Sequence, residues 1–524
     1  MIKLLTFAAL IAVALGTPGV VAAEPASPTH GQAEHVVVVV WDGMRPDFIS
    51  PQYTPTLYQL AVDGVFFKNH HPVYVSSTEA NGTAIATGVY PAKSGIIANR
   101  DYRPESEWLD SMATESVESI RRGDAASSGR YIDVPTVAEI LHQAGFPTAI
   151  AGTKPVTLLH DRSNRRAAGA AANSTMLYHG HTIPSSLLEA VVKANEKDFP
   201  ASATPNVARD AWTTKGLTHT LWKKGVPKFS LLWLSEPDAS QHAAAPGSDM
   251  AVSALESCDK NLATVLQALE DKKVRQKTDV LVVSDHGFST IQRGVDVAEI
   301  LKKAKFKAGR KLEDPEPGEV LVVGLGGSVL LYVIEHDETV TRKLVEFLQT
   351  TDFAGVIFSR LKLPGTFPIE QVRMNTSKTA PDVILSMRWS ADTNEHGTPG
   401  MLQADTGKKG TGTHASLSRF DMHNTLVANG PDFRVGLIDE LPSGNADLAP
   451  TLLALLGVPS SSPMDGRILQ EALRTPSAAV PKPNTQTLEA TFEVGLRRWK
   501  QYLKFTTIGD QIYFDEGNGE AVLK

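Results

Sequence analysis

Short apolar runs that break off at a charged or polar residue recur along the chain: His35–Trp41, Pro147–Ala151, Phe229–Leu234, Asp279–Ser284, Val320–Val333, Asp382–Met387 and Thr425–Ala428. Runs of this kind, with little polar alternation, belong to strands buried on both faces. Val320–Val333 is long enough for two of them. Between the runs lie segments with helical spacing of apolar residues, at Thr54–Gly64, Val134–Ala144, Asp249–Leu269 and Asp447–Leu456. Strands alternating with helices predict βαβ units, hence an α/β fold on a mostly parallel sheet with helices on both faces. In such a sheet, ligands sit outside the carboxyl ends of the strands. At 524 residues the chain suits a large α/β enzyme with insertions, and it has no internal repeat.

Several segments break the rhythm. Arg162–Ala203, Gly309–Gly318 and Trp389–Gly412 are polar or rich in Gly, Asp, Thr and Lys, and read as loops or caps. A Pro-rich linker follows Arg474, and the tail beyond it suggests a short helix at Leu488–Trp499 and a hairpin around Gln511–Phe514. The expected domain plan is a catalytic unit over 24–470, with insertions near 155–228 and 290–412, then a linker and appendage over 471–524. Residues 1–23 read as a secretory signal peptide. Lys3 leads a short apolar stretch, Gly16, Pro18 and Gly19 break it, and Val21-Ala22-Ala23 offers a cleavage site. That stretch is too short to span a bilayer, so the mature chain is expected in the periplasm or outside the cell, with no membrane span.

The net charge of −7 gives no basic footprint for nucleic acid, and the single Cys258 excludes a disulfide framework or a thiolate zinc finger. Metal chemistry would therefore use oxygen and nitrogen donors. The carboxylates stand where such donors are useful: Asp42 follows Val36–Trp41, Asp238 follows Leu231–Pro237, and Asp285 follows Asp279–Ser284. Any one strand-end Asp is as well explained as a helix cap. Three side by side would repel and raise each other's pKa unless cations neutralise them. His286 adjoins Asp285, and His242 lies one helical turn after Asp238. Carboxylate and imidazole donors without thiolate suit zinc or another divalent transition ion. Ser76-Ser77-Thr78, just before an apparent helix, places a hydroxyl near a helix N-terminus, where an anionic phosphate is favoured or a plain cap would serve. His70, His71, His179, His181 and His423 read as structural.

Asp42-Gly43-Met44-Arg45, Thr54-Pro55-Thr56-Leu57, Thr87-Gly88-Val89-Tyr90-Pro91, Glu236-Pro237-Asp238 with His242, Ser284-Asp285-His286-Gly287, Gly412-Thr413-His414, Gly430-Pro431-Asp432-Phe433, Asp447–Thr451 and Met464-Asp465-Gly466-Arg467 occur in series. Together they resemble the nucleotide pyrophosphatase/phosphodiesterase branch of the alkaline phosphatase superfamily, from about residue 35 to 470. The resemblance implies an alkaline-phosphatase-like fold and two zinc ions. Asp238, His242 and His414 would hold one ion, and Asp42, Asp285, His286 and the Thr78 oxygen the other. Thr78 would be the nucleophile, and Asn99 would donate to a non-bridging phosphoryl oxygen. The substrate would be a small phosphate ester, with a nucleotide as one candidate and Tyr74, Tyr178 and Trp389 as candidates for base stacking.

The family commonly continues its nucleophile with Phe-Pro-Asn-His, whereas Thr78 is followed by Glu79-Ala80-Asn81-Gly82. Glu79 would either disfavour highly anionic substrates or point to solvent. A phosphate monoesterase on the same scaffold is the nearest alternative. Lys154 in Gly152–Val156 would then bind substrate, with His160, Arg162, Arg165 or Arg166 standing in for a missing Lys-x-Arg arginine. A sulfatase is disfavoured, because Cys258 lies in no Cys-x-Pro-x-Arg motif. The remote alternative is a non-catalytic, zinc-binding pseudoenzyme.

Overall fold

The computed structural model describes residues 31–162, 174–376, 379–480 and 482–524; the leader-like segment 1–23, Arg165 and Arg166 lie outside them. Its centre is a nine-stranded sheet formed by β1 (His35–Trp41), β2 (Val65–His71), β3 (Thr148–Gly152), β4 (Ser174–Tyr178), β5 (His181–Ile183), β6 (Phe229–Leu234), β7 (Thr278–Val283), β8 (Leu426–Asn429) and β9 (Leu437–Gly444). The spatial order is β9-β2-β8-β7-β1-β6-β3-β4-β5. All but β5 and β8 run in one direction. The expected mostly parallel α/β sheet is therefore what forms. Successive residues of β1 explain its unbroken apolarity: Val36, Val38 and Val40 enter one core cluster, while Val37, Val39 and Trp41 enter the cluster on the opposite face. The predicted helices form at Pro55–Val62, Val137–Gln143, Asp249–Asp271 and Leu448–Leu455.

Several expectations change. Val320–Val333 does split into two strands, Val320–Gly324 and Ser328–Val333, but they form a hairpin in a second, six-stranded sheet that also holds Val383–Met387. This sheet is also buried on both faces: Val323 and Leu330 pack on one side, Val322 and Leu331 on the other. An antiparallel sheet covered twice has the same continuous apolarity as a parallel one, so the pattern could not separate them. Trp389–Gly412, read as a loop, supplies the strands Trp389–Thr393 and Pro399–Asp405 of a four-stranded sheet. Within Arg162–Ala203, β4 and β5 extend the edge of the central sheet and Leu188–Asn195 is a helix.

The tail is a three-stranded antiparallel sheet of Asn484–Val494, Arg497–Ile508 and Gln511–Leu523. The helix expected at Leu488–Trp499 is absent, because Gly495 at φ +55 turns the chain there. Gln511–Phe514 is strand, and the turn falls one step earlier at Gly509 and Asp510. This sheet packs on the six-stranded one through the Gln501 amide, which bonds both Ile357 N and O. It also reaches the central unit, where Tyr513 Oη donates to Asp447 at 2.9 Å. Among the described residues no helix is long and apolar enough to cross a membrane.

Candidate active site

Three neighbouring strands of the central sheet, β7, β1 and β6, deliver Asp285, Asp42 and Asp238 to their carboxyl ends. Asp42 and Asp285 are fully buried. Asp238 opens the helix Asp238–Ala244, which also carries His242. Gly43 makes the tight exit from β1 possible. It sits at φ +70, a Cβ there would lie 3.0 Å from the Phe288 ring, and its N–H donates to Asp285 Oδ1 at 2.9 Å.

Each carboxylate has one oxygen held by donors. Trp233 Nε1 donates to Asp42 Oδ2 at 2.8 Å, and Lys154 Nζ lies 2.9 Å from that atom and 3.2 Å from Asp238 Oδ2. The other oxygens, Asp42 Oδ1, Asp238 Oδ1 and Asp285 Oδ2, are buried without a hydrogen-bond partner among the described residues. Imidazoles face them. His242 Nε2 is 3.2 Å and His414 Nε2 3.7 Å from Asp238 Oδ1, while His286 Nε2 is 3.2 Å from Asp285 Oδ2 and 3.7 Å from Asp42 Oδ1.

The tautomers follow from what lies behind each ring. His242 Nδ1 donates to Gly412 O at 3.1 Å, His286 Nδ1 to Gly287 O at 2.9 Å, and His414 Nδ1 to Ser76 O at 2.9 Å. A carbonyl only accepts, so each neutral ring carries its proton on Nδ1 and turns a bare Nε2 towards an unpartnered carboxylate oxygen. Lone pairs opposed in this way repel, and a divalent cation between them removes the conflict. Carbonyl-anchored imidazoles are also the usual outer support of a metal site. On this observation the residues fit divalent metal ions.

The electrostatics agree. Burial, then the neighbouring Asp285, pushes Asp42 well above the usual carboxylate range. Burial alone would raise Asp238 too, but Lys154, His242 and His414 hold it well below its ordinary value. Burial and the adjacent His286 and His242 push His414 down, keeping it a neutral donor.

Thr78 is the first residue of the helix Thr78–Thr87, with its Oγ1 3.3 Å from His286 Nε2. Asn81 holds the preceding turn. Its Nδ2 donates to Ser77 O at 3.0 Å, Val73 O at 3.2 Å and Val75 O at 3.3 Å, while its Oδ1 accepts from Val73 N at 2.7 Å. Asn445 Nδ2 reaches the same Oδ1 at 2.9 Å and Asp285 O at 2.7 Å, and His70 Nε2 donates to Asn445 Oδ1 at 2.9 Å. Asn99 Oδ1 accepts from Glu79 N at 3.2 Å, which orients its amide beside Thr78.

Other expected residues fall elsewhere. Glu79 does not point to solvent; it is 2% exposed, and burial, then the hydrogen-bonded Glu115 carboxyl, raises it well above the ordinary range. Arg162 is not a solvated turn but a buried partner of Asp124, and His160 is buried against Trp233. Neither stands in for an active-site arginine. Tyr74 is spent in the core on Ser328 Oγ at 2.8 Å, and Trp389 Nε1 on Gly517 O at 2.7 Å. Cys258 is buried and donates to Glu236 O, the quiet thiol expected. The sequence reading missed Glu115 and Asn445, which no strand-end or spacing rule marks. Asn81 was visible only as the Asn of the family pattern retained after Thr78.

The family model of type I phosphodiesterase/nucleotide pyrophosphatase matches residues 36–416. Human ectonucleotide pyrophosphatase/phosphodiesterase family member 1 is 23% identical over 266 residues, half of this chain and 24% of that protein, so the chain spans about a quarter of that relative's length. The bis(5'-adenosyl)-triphosphatase of Xenopus laevis is 21% identical over 84% of this chain and 81% of its own length. Human family member 7 is 22% identical over 88% and 92%. Among solved structures, an inactive variant of murine ectonucleotide pyrophosphatase/phosphodiesterase 5 in complex with AMP superposes with a TM-score of 0.59 at 17% identity, covering 84% of this chain and all of that one.

Proposed function

Because the chain belongs to the type I phosphodiesterase/nucleotide pyrophosphatase family, we propose that it is an exported two-zinc hydrolase of phosphodiester or phosphoanhydride bonds acting through a phospho-threonine at Thr78. The observation that carries this reading is the set of three bare Nε2 atoms facing unpartnered carboxylate oxygens, with the Thr78 hydroxyl 3.3 Å from the Nε2 of His286. Asp238, His242 and His414 would hold one ion, and Asp42, Asp285, His286 and Thr78 Oγ1 the other. Bound there, two divalent ions would supply Lewis acidity to the attacking and departing oxygens of an in-line displacement. Thr78 Oγ1 attacks phosphorus and the leaving-group oxygen departs on the opposite side. Water then hydrolyses the phospho-threonine and restores the hydroxyl. The backbone N–H of Thr78 and the amide of Asn99 would receive the non-bridging oxygens.

The relatives' names point to nucleotides as the substrate class. Export rests on the leader-like residues 1–23, and the expected catalytic unit is 24–470. A phosphate monoesterase is the second reading, favoured by Lys154, whose ammonium stands between Asp42 and Asp238 and could reach a further charged oxygen. The test is a paired assay of bis-p-nitrophenyl phosphate and p-nitrophenyl phosphate on zinc-loaded enzyme, with chelator and Thr78→Ala controls. Higher kcat/KM on the diester, lost in both controls, is expected. Preference for the monoester selects the second reading, and no turnover of either leaves a zinc-binding pseudoenzyme.

A further inference from the structure

One part of the arrangement at the Thr78 cluster, a carbonyl-anchored imidazole turned towards a carboxylate, recurs far from it. His71 ends β2, His423 precedes β8, and Asp515 lies on the last strand of the appendage. His71 is buried, and its Nδ1 donates to Ser443 O at 3.1 Å. The neutral ring therefore presents a bare Nε2, and that atom faces Asp515 Oδ1 at 3.2 Å. The other Asp515 oxygen accepts from Thr506 Oγ1 at 3.3 Å. The His423 ring lies 4.6 Å from that of His71, centroid to centroid. One nitrogen from each histidine and one Asp515 oxygen all fall within 4.8 Å of one another. Ligands about 2.0–2.1 Å from a tetrahedral zinc stand about 3.3 Å apart. His71 and Asp515 already have that separation, and His423 needs a small ring movement to join them.

We propose that His71, His423 and Asp515 hold a divalent transition-metal ion, zinc by the donor set, at a site separate from the Thr78 cluster. The three side chains line a cavity of about 390 Å³, which leaves room for a fourth, water ligand. Of the basic groups around it, Arg419 pairs with Glu516 at 2.7 Å, while Lys504 lines the same cavity and acts on Asp515, so the ion would share that carboxylate with it. The role of the ion would be to fasten the appendage to the end of β2, next to His70, which supports Asn445 and through it the Asn81 turn before Thr78.

The test uses crystals of the full-length protein soaked in zinc, with anomalous difference maps recorded on either side of the zinc edge. Density between His71, His423 and Asp515 is expected, absent from Asp515→Asn and His423→Ala, with zinc content lower by about one equivalent in each. Both variants should keep diester hydrolysis within about threefold, which separates this site from the catalytic one. No density at this cluster overturns the proposal, whatever the Thr78 cluster holds, and leaves the His71–Asp515 contact as a purely protein one. Should Asp515→Asn fail to fold, His423→Ala decides alone, because its ring is only half-buried.

Discussion

The ammonium of Lys154 stands 2.9 Å from Asp42 Oδ2, while Asp42 Oδ1 is left facing His286. Burial would lower the lysine, but Asp238, Asp42 and Glu115 hold it well above its ordinary value, so it is a permanent cation. It therefore shares two carboxylates with any ion bound there. Lys154→Met should slow zinc loss to a chelator and lower kcat/KM about 10- to 100-fold, the size of one charge-assisted hydrogen bond. The loss should be larger for a monoester dianion than for a diester. Stopped-flow chelator release and paired kinetics check both, and unchanged values would make Lys154 a spectator.

Among the described residues, Asp238 is the only carboxylate facing both His242 and His414. Asp238→Asn should cost about one zinc per chain while the ion at Asp42, Asp285 and His286 stays, with turnover down at least 10³-fold. Metal content measured by mass spectrometry after gel filtration decides; retention of both ions would remove Asp238 from the ligand set.

Asn81 and Asn445 act as a pair on the turn that carries Thr78. Asn81→Ala leaves three backbone carbonyls and Val73 N without their side-chain partner, and a buried group left unsatisfied costs about 1–3 kcal/mol. A melting temperature lower by several degrees and at least a 10-fold fall in kcat are expected. Asn445→Ala should do much the same, and the double variant should be less than additive. Full additivity would mean that the two amides do not work through one turn.

His70 makes the fold sensitive to acid. Burial pushes it down to about 3, and its ring is fixed neutral between Ser443 Oγ and Asn445. The unfolded chain takes up a proton near pH 6.5, which the folded one refuses. The stability it contributes is thus complete above about pH 6.5 and is lost as pH falls towards 3, by about 2 kcal/mol at pH 5. His70→Gln should flatten the fall in melting temperature between pH 7 and pH 5. A variant with the same acid slope as the parent would exclude His70 as its source.

The strand-end positions of Asp42, Asp238 and Asp285 were legible because a parallel sheet gathers its carboxyl ends in one place, and that rule needs no knowledge of loops. His414 was legible only through a motif, since nothing local ties it to Asp238, 176 positions earlier. The hairpin Val320–Val333 was seen as strand but placed in the wrong sheet, because burial on two faces erases the alternation that would mark an antiparallel pair. The tail was misread at Leu488–Trp499, where tertiary packing decides. Trp499 and Leu503 lie in the interior while Glu489 and Thr491 stay exposed, a two-residue rhythm broken by Gly495. Glu79 and Glu115, 36 positions apart, meet only in the folded molecule.

Asp515 reaches back 444 residues to His71, and Tyr90 Oη forward 422 residues to Ile512 O. Contacts of such long range form only after an expensive closure of the intervening chain, and they cannot form while it is still being threaded or synthesised. The β2 end and the helix carrying Thr78 must therefore wait, incompletely braced, until the final strand arrives. Ordering of the Thr78 cluster is in this way tied to delivery of the whole polypeptide, so that an interrupted chain cannot acquire its full bracing early.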